Sequence, residues 1–523
     1  MKKITQTLLV AMLIPHVSYA QGLPEPTVFH SSVIEQSKNY VQGNSYQKDF
    51  LLFIEILRTT HPAFSDMQTY PIHLDSIAQE GYYSLSACET FDKFKLAIQS
   101  VASKLRDGHT FISPPDFSVT EIYPLNMEVM NGKFYINAID KLYESVLGEE
   151  IETINEVAMP EIVNVFSKYI SYDNELELQQ RVATYLLFPM MMQQCFPNSA
   201  DKLLTIKCKS GKEAFIQAKL QKDINPVQMN SPKSKNAITA YNQQLFSYEI
   251  LDKEPICYLQ FNTCFDYNTA KFQIETSLEE TADTDKIAAL EAKIAQYPKF
   301  DEFLAKMFAE IKGKNIPVLV VDVRHNGGGN SMLCDQLLSY LYPIDSLKKG
   351  NASIRISELL KQQSPTLYKE YEEQLAKQNK SIVMGKLYTD NDFLIEDNKS
   401  GLFQKHFLLN EDSSKFFTGK TIFIQSERTY SSAGDLIIWS RDNKIGSIVG
   451  EKSSYRPCNY GDILMWKLPN TELKGGVSHK YFTRPDTTKC GEDSLSPDVL
   501  ISPTFEEVQQ GIDSCWNWIL SNY

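Results

Sequence analysis

The sequence predicts a mixed α/β protein in which a helical region and a β-rich region precede the α/β core. Three observations carry that reading. Residues 36–106 place apolar side chains three and four apart, residues 117–225 run in short alternating or β-branched stretches, and from about residue 246 continuous apolar runs alternate with amphipathic ones. The divisions expected are 1–20, 21–115, 116–235 and 236–523.

The first division, "MKKITQTLLVAMLIPHVSYA", has two lysines, an apolar run and a small-residue ending, which is the layout of a secretory signal cleaved after Ala20. The run is too short for a spanning helix, and no later stretch approaches ~18 uninterrupted apolar residues. Export to the periplasm or the extracellular space is therefore expected. The net charge of −13 becomes −15 once Lys2 and Lys3 leave, which argues against nucleic acid or an anionic membrane as partner. A hydrophobic content of 42% is enough for packed cores. The nine cysteines lack both the dense spacing of a small disulfide scaffold and a paired CxxC metal site. Cys458 and Cys490 flank a hairpin-like segment and are the one bridge expected.

In the second division, "YQKDFLLFIEILRTTHPAF" and "FDKFKLAIQSVASKLRDGH" read as helices, the first ended by Pro62. The third contains "LGEEIETINEVAMPEIVNVF", read as turn, strand, turn and helix. In the fourth, strands "PICYLQF", "VLVVDV", "KTIFIQS" and "SIVGE" alternate with helices "FDEFLAKMFAEIKGK", "SMLCDQLLSYLY" and "SAGDLIIWSRDN", closing on a helix "FEEVQQGIDSCWNWIL". Continuous apolar strands between amphipathic helices imply parallel strands covered on both faces. Residues 345–415 read as an insertion without an assigned place.

Two stretches of the fourth division suggest chemistry. In "VLVVDVRHNGGGN" a buried strand runs into Gly327–Gly329, where backbone amides are free to approach a ligand. That is either an anion cradle or a turn that merely closes strand to helix. Neither GxxxxGK[ST] nor GxGxxG is present, so no phosphate or dinucleotide is expected there. In "TIFIQSERTYSSAGDLIIWS", Ser432 and Asp435 have a capping-box spacing, which leaves Ser431 just outside the helix start. A hydroxyl at that corner has the positive helix end beside it, as a nucleophile requires.

A serine nucleophile needs a base. Among the eight histidines, His109 in "LRDGHTF" lies in a turn that holds an imidazole outward, or is a plain turn residue, and His325 beside the glycines is its rival.

Four separated motifs, "LRDGHT", "LGEEIETINEVAMPEIV", "VLVVDVRHNGGGN" and "RTYSSAGD" with its sequel "IVGEKSSYRPCNYG" through "SLSPDVLI", agree in order with one family. Over residues 45–523 the chain resembles the S41 serine peptidases, the tail-specific or C-terminal processing group, and especially their tricorn-like branch. The resemblance implies a crotonase-like α/β core at 236–523, a PDZ-like domain at 116–235 and a helical region at 21–115. It implies Ser431 as nucleophile, His109 as base, and the amides of Ser432 and Gly327 or Gly328 as oxyanion hole. A displaced helper glutamate falls on Glu492. Peptide or protein substrates are implied, with no cofactor and no metal.

There are departures. Where Ser–Lys relatives carry a lysine base this chain has Arg456, which cannot act as a base, and Lys452 is the fallback. A serine expected before the histidine is Gly108. These changes leave open a non-catalytic peptide- or ligand-binding protein on the same fold. An α/β-hydrolase esterase is disfavoured because no GxSxG surrounds a serine.

Overall fold

A computed structural model describes residues 26–65, 72–116, 119–196, 202–229, 239–277, 284–389, 392–393 and 405–523. The signal expected at 1–20 lies outside the described residues.

The centre of the fourth division is a six-stranded sheet: β1 (Phe246–Ile250), β2 (Ile256–Phe261), β3 (Val318–Asp322), β4 (Lys420–Gln425), β5 (Ser447–Gly450) and β6 (Val499–Leu500), side by side in chain order. Only the β1–β2 pair is antiparallel; the other four pairings are parallel. Alternation along β3 divides its side chains between the two faces. Leu319 and Val321 pack with α1 (Phe300–Gly313), α2 (Met332–Leu338) and α3 (Ser432–Asp442), while Val318 and Val320 face Trp516 and Ile519 of α4 (Ser514–Asn522). All of β2 and β3 is buried, as their unbroken apolar runs require. The closing segment is two helices, not one. Phe505–Gln509 ends before Gly511, whose φ of 66° leaves the helical region, and Asp513 caps the restart by accepting from the Trp516 amide.

A second sheet positions the other half of the cleft. Its backbone is the hairpin Asn459–Lys467 and Lys474–Phe482, to which Phe111–Ile112 adds antiparallel through Gly475 and Gly476. Part of the 345–415 insertion finds its place here: Ala352–Arg355 pairs with the hairpin, Leu387–Thr389 pairs with Ala352–Arg355, and helices Glu358–Gln363 and Pro365–Ala376 follow the first strand. Cys458 and Cys490 form a disulfide at the base of the hairpin.

The helical reading of 36–106 is matched by Ser45–Thr60, started by an Asn44–Gln47 capping box and stopped before Pro62, and by Phe91–Ala102. Among the described residues between 116 and 229, three small sheets of two, three and four strands pack with helices Met159–Phe166, Glu175–Tyr185 and Pro189–Cys195, two more helices than the spacing suggested. The hairpin Leu125–Met130 and Lys133–Asp140 turns on Asn131 and Gly132, both at positive φ, as a two-residue turn between twisted strands demands.

Candidate active site

The strands β3 and β4 are neighbours, so the loops that leave their ends meet. Thr429 Oγ1 donates to the Val323 carbonyl (2.9 Å) and the Tyr430 amide donates to the Asn326 carbonyl (3.1 Å), joining the two loops. The chain then turns at Ser431 with φ 53° and ψ −129°, a region that costs a non-glycine residue about 1–3 kcal/mol. Ser431 stands at the N-terminus of α3 and makes no side-chain capping bond. Its hydroxyl is left for another partner.

The capping-box expectation for Ser432 is corrected. Ser432 is the first helical residue, its Oγ donates to the Gly329 carbonyl (2.9 Å), and the Asp435 carboxylate accepts from the Tyr455 hydroxyl (2.9 Å). Burial, with Asp335 nearby and Tyr455 opposing, pushes the Asp435 carboxyl up to about 7.

The glycine run lies directly against the serine. Gly328 has φ 103°, and a Cβ built on it comes 2.6 Å from the Ser431 Cβ. Its amide, however, donates to Asn326 Oδ1 (2.9 Å), so Gly328 is removed from the expected oxyanion donors. The amides of Gly327 and Ser432 make no hydrogen bond among the described residues.

His109 arrives from the opposite side. The pairing of Phe111–Ile112 with the hairpin carries the 107–110 turn to the mouth of the glycine run, and His109 Nε2 lies 3.1 Å from Ser431 Oγ. The turn is organised around the fully buried Asp107 carboxylate. It accepts from the His109 amide (2.9 Å), Thr110 Oγ1 (2.6 Å), Ser478 Oγ (2.7 Å) and the His61 ring (3.0 Å). Burial works to raise the Asp107 pKa, but the hydrogen bond and charge of His61, with His109 and Thr110, hold it well below the usual carboxylate range. Asp107 Oδ1 is 3.9 Å from His109 Nδ1, and that nitrogen has no hydrogen-bond partner among the described residues.

Glu492 is not brought to the imidazole. Its carboxylate pairs with Arg484 (3.0 Å) outside the cleft, because the 487–489 turn that precedes it faces Asp442 and Arg484 instead. The rival His325 packs tilted against Tyr241 with ring centroids 4.6 Å apart, its pKa lowered to about 4, chiefly by burial. Lys452 is exposed, and Arg456 binds the Asp173 carbonyl and Asp493. At Gly108 a Cβ meets the Tyr430 hydroxyl at 2.1 Å and Glu177 at 2.5 Å, so no serine fits where one was expected.

Sequence reasoning missed His61, Asp173, Tyr430 and Ser478, which surround the pair. Tyr430 adjoins Ser431 in "RTYSSAGD" and was within reach of a closer reading; the others come from distant segments with no shared pattern. A cavity of about 320 Å³ opens beside Ser431, lined by His109, Phe265, Phe272, Met332, Tyr455 and Leu464 among others. Its wall mixes aromatic and aliphatic side chains with polar ones such as Gln273, Asn330, Asp462 and Lys480.

Residues 287–457 match the family model described as peptidase family S41. No curated protein matches the sequence. Among solved structures, mature CPAF complexed with lactacystin is 13% identical, with 93% of this chain and 98% of that chain covered and a TM-score of 0.59. Mature CPAF alone is 13% identical, with 93% and 96% covered and a TM-score of 0.58. At that identity the likeness is one of fold. The 287–457 segment is thus similar to peptidase family S41, and over the rest of the chain the likeness to CPAF is one of fold.

Proposed function

We propose that this chain is an exported endopeptidase that hydrolyses peptide bonds through an acyl-enzyme on Ser431, with His109 as general base. The observation that carries the reading is the 3.1 Å approach of His109 Nε2 to Ser431 Oγ across 322 positions of sequence. That distance allows direct proton transfer. Ser431 Oγ attacks the scissile carbonyl as its proton passes to Nε2. The Gly327 and Ser432 amides and the N-terminus of α3 receive the negative charge that develops on the carbonyl oxygen. The imidazolium returns the proton to the leaving amine, and water then attacks the ester to free Ser431. Asp107, 3.9 Å from Nδ1, supplies the compensating negative charge while the ring is protonated.

In the same reading, 236–523 is the crotonase-like core, 116–235 the PDZ-like domain and 21–115 the helical region. A peptide joins the second of these by adding a strand to one of its small sheets. Export is supported by the leader-like composition of residues 1–20 and by the Cys458–Cys490 bridge, since disulfides persist in oxidising compartments. No described helix is long and apolar enough to cross a membrane.

The test is labelling with a fluorophosphonate probe and cleavage of a peptide library. Wild-type protein labels at Ser431; Ser431→Ala and His109→Ala lose labelling, and cleavage falls by about 10³-fold or more. Undiminished cleavage by both variants rejects the proposal. The unpartnered His109 Nδ1 favours one other reading, a binding protein on this fold. Folded wild-type protein that retains peptide but never labels selects it.

A further inference from the structure

We propose that Asp173 is a positioning residue that clamps the base to the nucleophile; this rests on the reading of Ser431 and His109 as the reacting pair. Asp173 is 1% exposed and stands just ahead of the helix Glu175–Tyr185, in the region between the two halves of the cleft. One of its oxygens, Oδ1, accepts from the Gly108 amide at 2.8 Å, and Oδ2 accepts from the Tyr430 hydroxyl at 2.6 Å. Gly108 precedes the base and Tyr430 precedes the nucleophile. A single carboxylate therefore holds the chain immediately before each reacting residue.

Both grips are stiff. Tyr430 is buried, its amide is tied to the Asn326 carbonyl (3.1 Å), and its ring packs 5.0 Å from the His109 ring. Gly108 is held at both ends of its peptide group. Its amide meets Asp173, and its carbonyl accepts from Arg181 Nη2 (2.6 Å) on the same helix. Arg181 Nε donates to Glu177 Oε1 (2.8 Å), and the Asp173 amide donates to Glu177 Oε2 (2.5 Å), closing a ring of four residues around Gly108. The ring fills the space a side chain at 108 would need, with Tyr430 and Glu177 at 2.1 and 2.5 Å from its Cβ. The glycine is thus a requirement of the clamp. Burial and the neighbouring Asp107 push the Asp173 carboxyl up while a charged His109 draws it down, so an imidazolium and an ionised Asp173 favour each other.

The reason a clamp matters is geometric. Base and nucleophile belong to different sheets, and a displacement of about 1 Å between reacting groups costs on the order of 10²-fold in rate.

The experiment uses the full chain and the fluorophosphonate probe, reading kinact and KI separately, with a thermal melt on each variant. Asp173→Ala lowers kinact about 10²-fold and leaves KI within about 2-fold. Asp173→Asn keeps an acceptor for the Gly108 amide and recovers part of the loss. Tyr430→Phe costs less than Asp173→Ala and adds nothing in the Asp173→Ala background, because it removes one arm of the same clamp. Wild-type kinact in folded Asp173→Ala overturns the proposal, as do additive effects in the double variant. Should Asp173→Ala not fold, Tyr430→Phe and Asp173→Asn decide, and wild-type kinact in both overturns it. Wild-type protein that fails to label at Ser431 overturns the reading of the reacting pair and the clamp with it; labelled wild type with unaffected variants overturns the clamp alone.

Discussion

On the Ser431 side of the cleft, bonds between residues 323–330 and 426–432 join the loops of two adjacent strands. On the His109 side, the Asp107 carboxylate gathers donors from residues 61, 109, 110 and 478, from a helix end, a turn and a far hairpin. The first arrangement is built on backbone carbonyls, which accept from the Thr429 and Ser432 hydroxyls and the Tyr430 amide once β3 and β4 pair. The second is mostly side chain, and it exists only when three separate segments have packed. Loss of one side chain therefore falls hardest on the His109 side, where a single carboxylate holds four donors, while an added Cβ has no room on either side, at Gly328 or at Gly108.

The largest effect expected on stability comes from breaking the His109 side. Asp107→Ala leaves a buried histidine, two hydroxyls and an amide without their acceptor, and a cost of about 3–5 kcal/mol is expected for such a broken network. Chemical denaturation of the variant checks this, and fluorophosphonate labelling should fall with it. A loss under about 1 kcal/mol means that water replaces the carboxylate and the contrast is misdrawn.

The complementary break is Gly328→Ala, which forces a Cβ into Ser431 at a positive φ. Labelling is expected to drop about 10²–10³-fold, the scale of a damaged oxyanion site, with a smaller shift in the melt than Asp107→Ala produces. If activity survives, the glycine run is no cradle.

Next in size, Cys458→Ser opens the bridge that ties the hairpin base to the 487–490 turn across 32 positions. A loss of about 3–4 kcal/mol is expected from loop entropy. Reductant should lower the melting point of wild type and leave Cys458→Ser unchanged.

The smallest effect is a slope with pH. Burial, as the main cause, pushes the carboxyls of Asp435 and Glu451 up to about 7. Between the ordinary carboxylate range and that value the native state keeps protons that the unfolded chain has released, so these groups lower stability as pH rises from about 4.5 to 7. Asp107 acts oppositely: its pKa is held down, so its stabilisation is present above pH 4 and is lost only in acid. Calorimetry should find a higher melting temperature at pH 5 than at pH 8, and Asp435→Asn should flatten that slope. No difference between the two pH values removes Asp435 and Glu451 from the account.

Much of the core was legible because its signals are local. The apolar runs "PICYLQF", "VLVVDV" and "KTIFIQS" each became a buried strand, and the glycines and serines at the strand ends marked the cleft. The helper groups were not legible. Glu492, the candidate nearest in motif, went to Arg484, while Asp173 came from a stretch that had no role in the reading and His61 from one read only as a helix end. Hydrogen-bond partners over such separations leave no trace in periodicity or turn composition. The single helix expected at the C-terminus failed for a local reason, a glycine and an aspartate cap that were present but outvoted by the apolar spacing.

The sequence by itself determined the β3 and β4 strands, the helix that starts after Ser431 and the turn that holds His109, because side-chain period, glycine and capping residues act over a few positions. Only the tertiary structure decided that His109 meets Ser431 and which carboxylates surround the pair. The meeting of His109 with Ser431 depends on antiparallel addition of Phe111–Ile112 to a hairpin more than three hundred residues away, where burial of the whole interface, and no local preference, selects the partners.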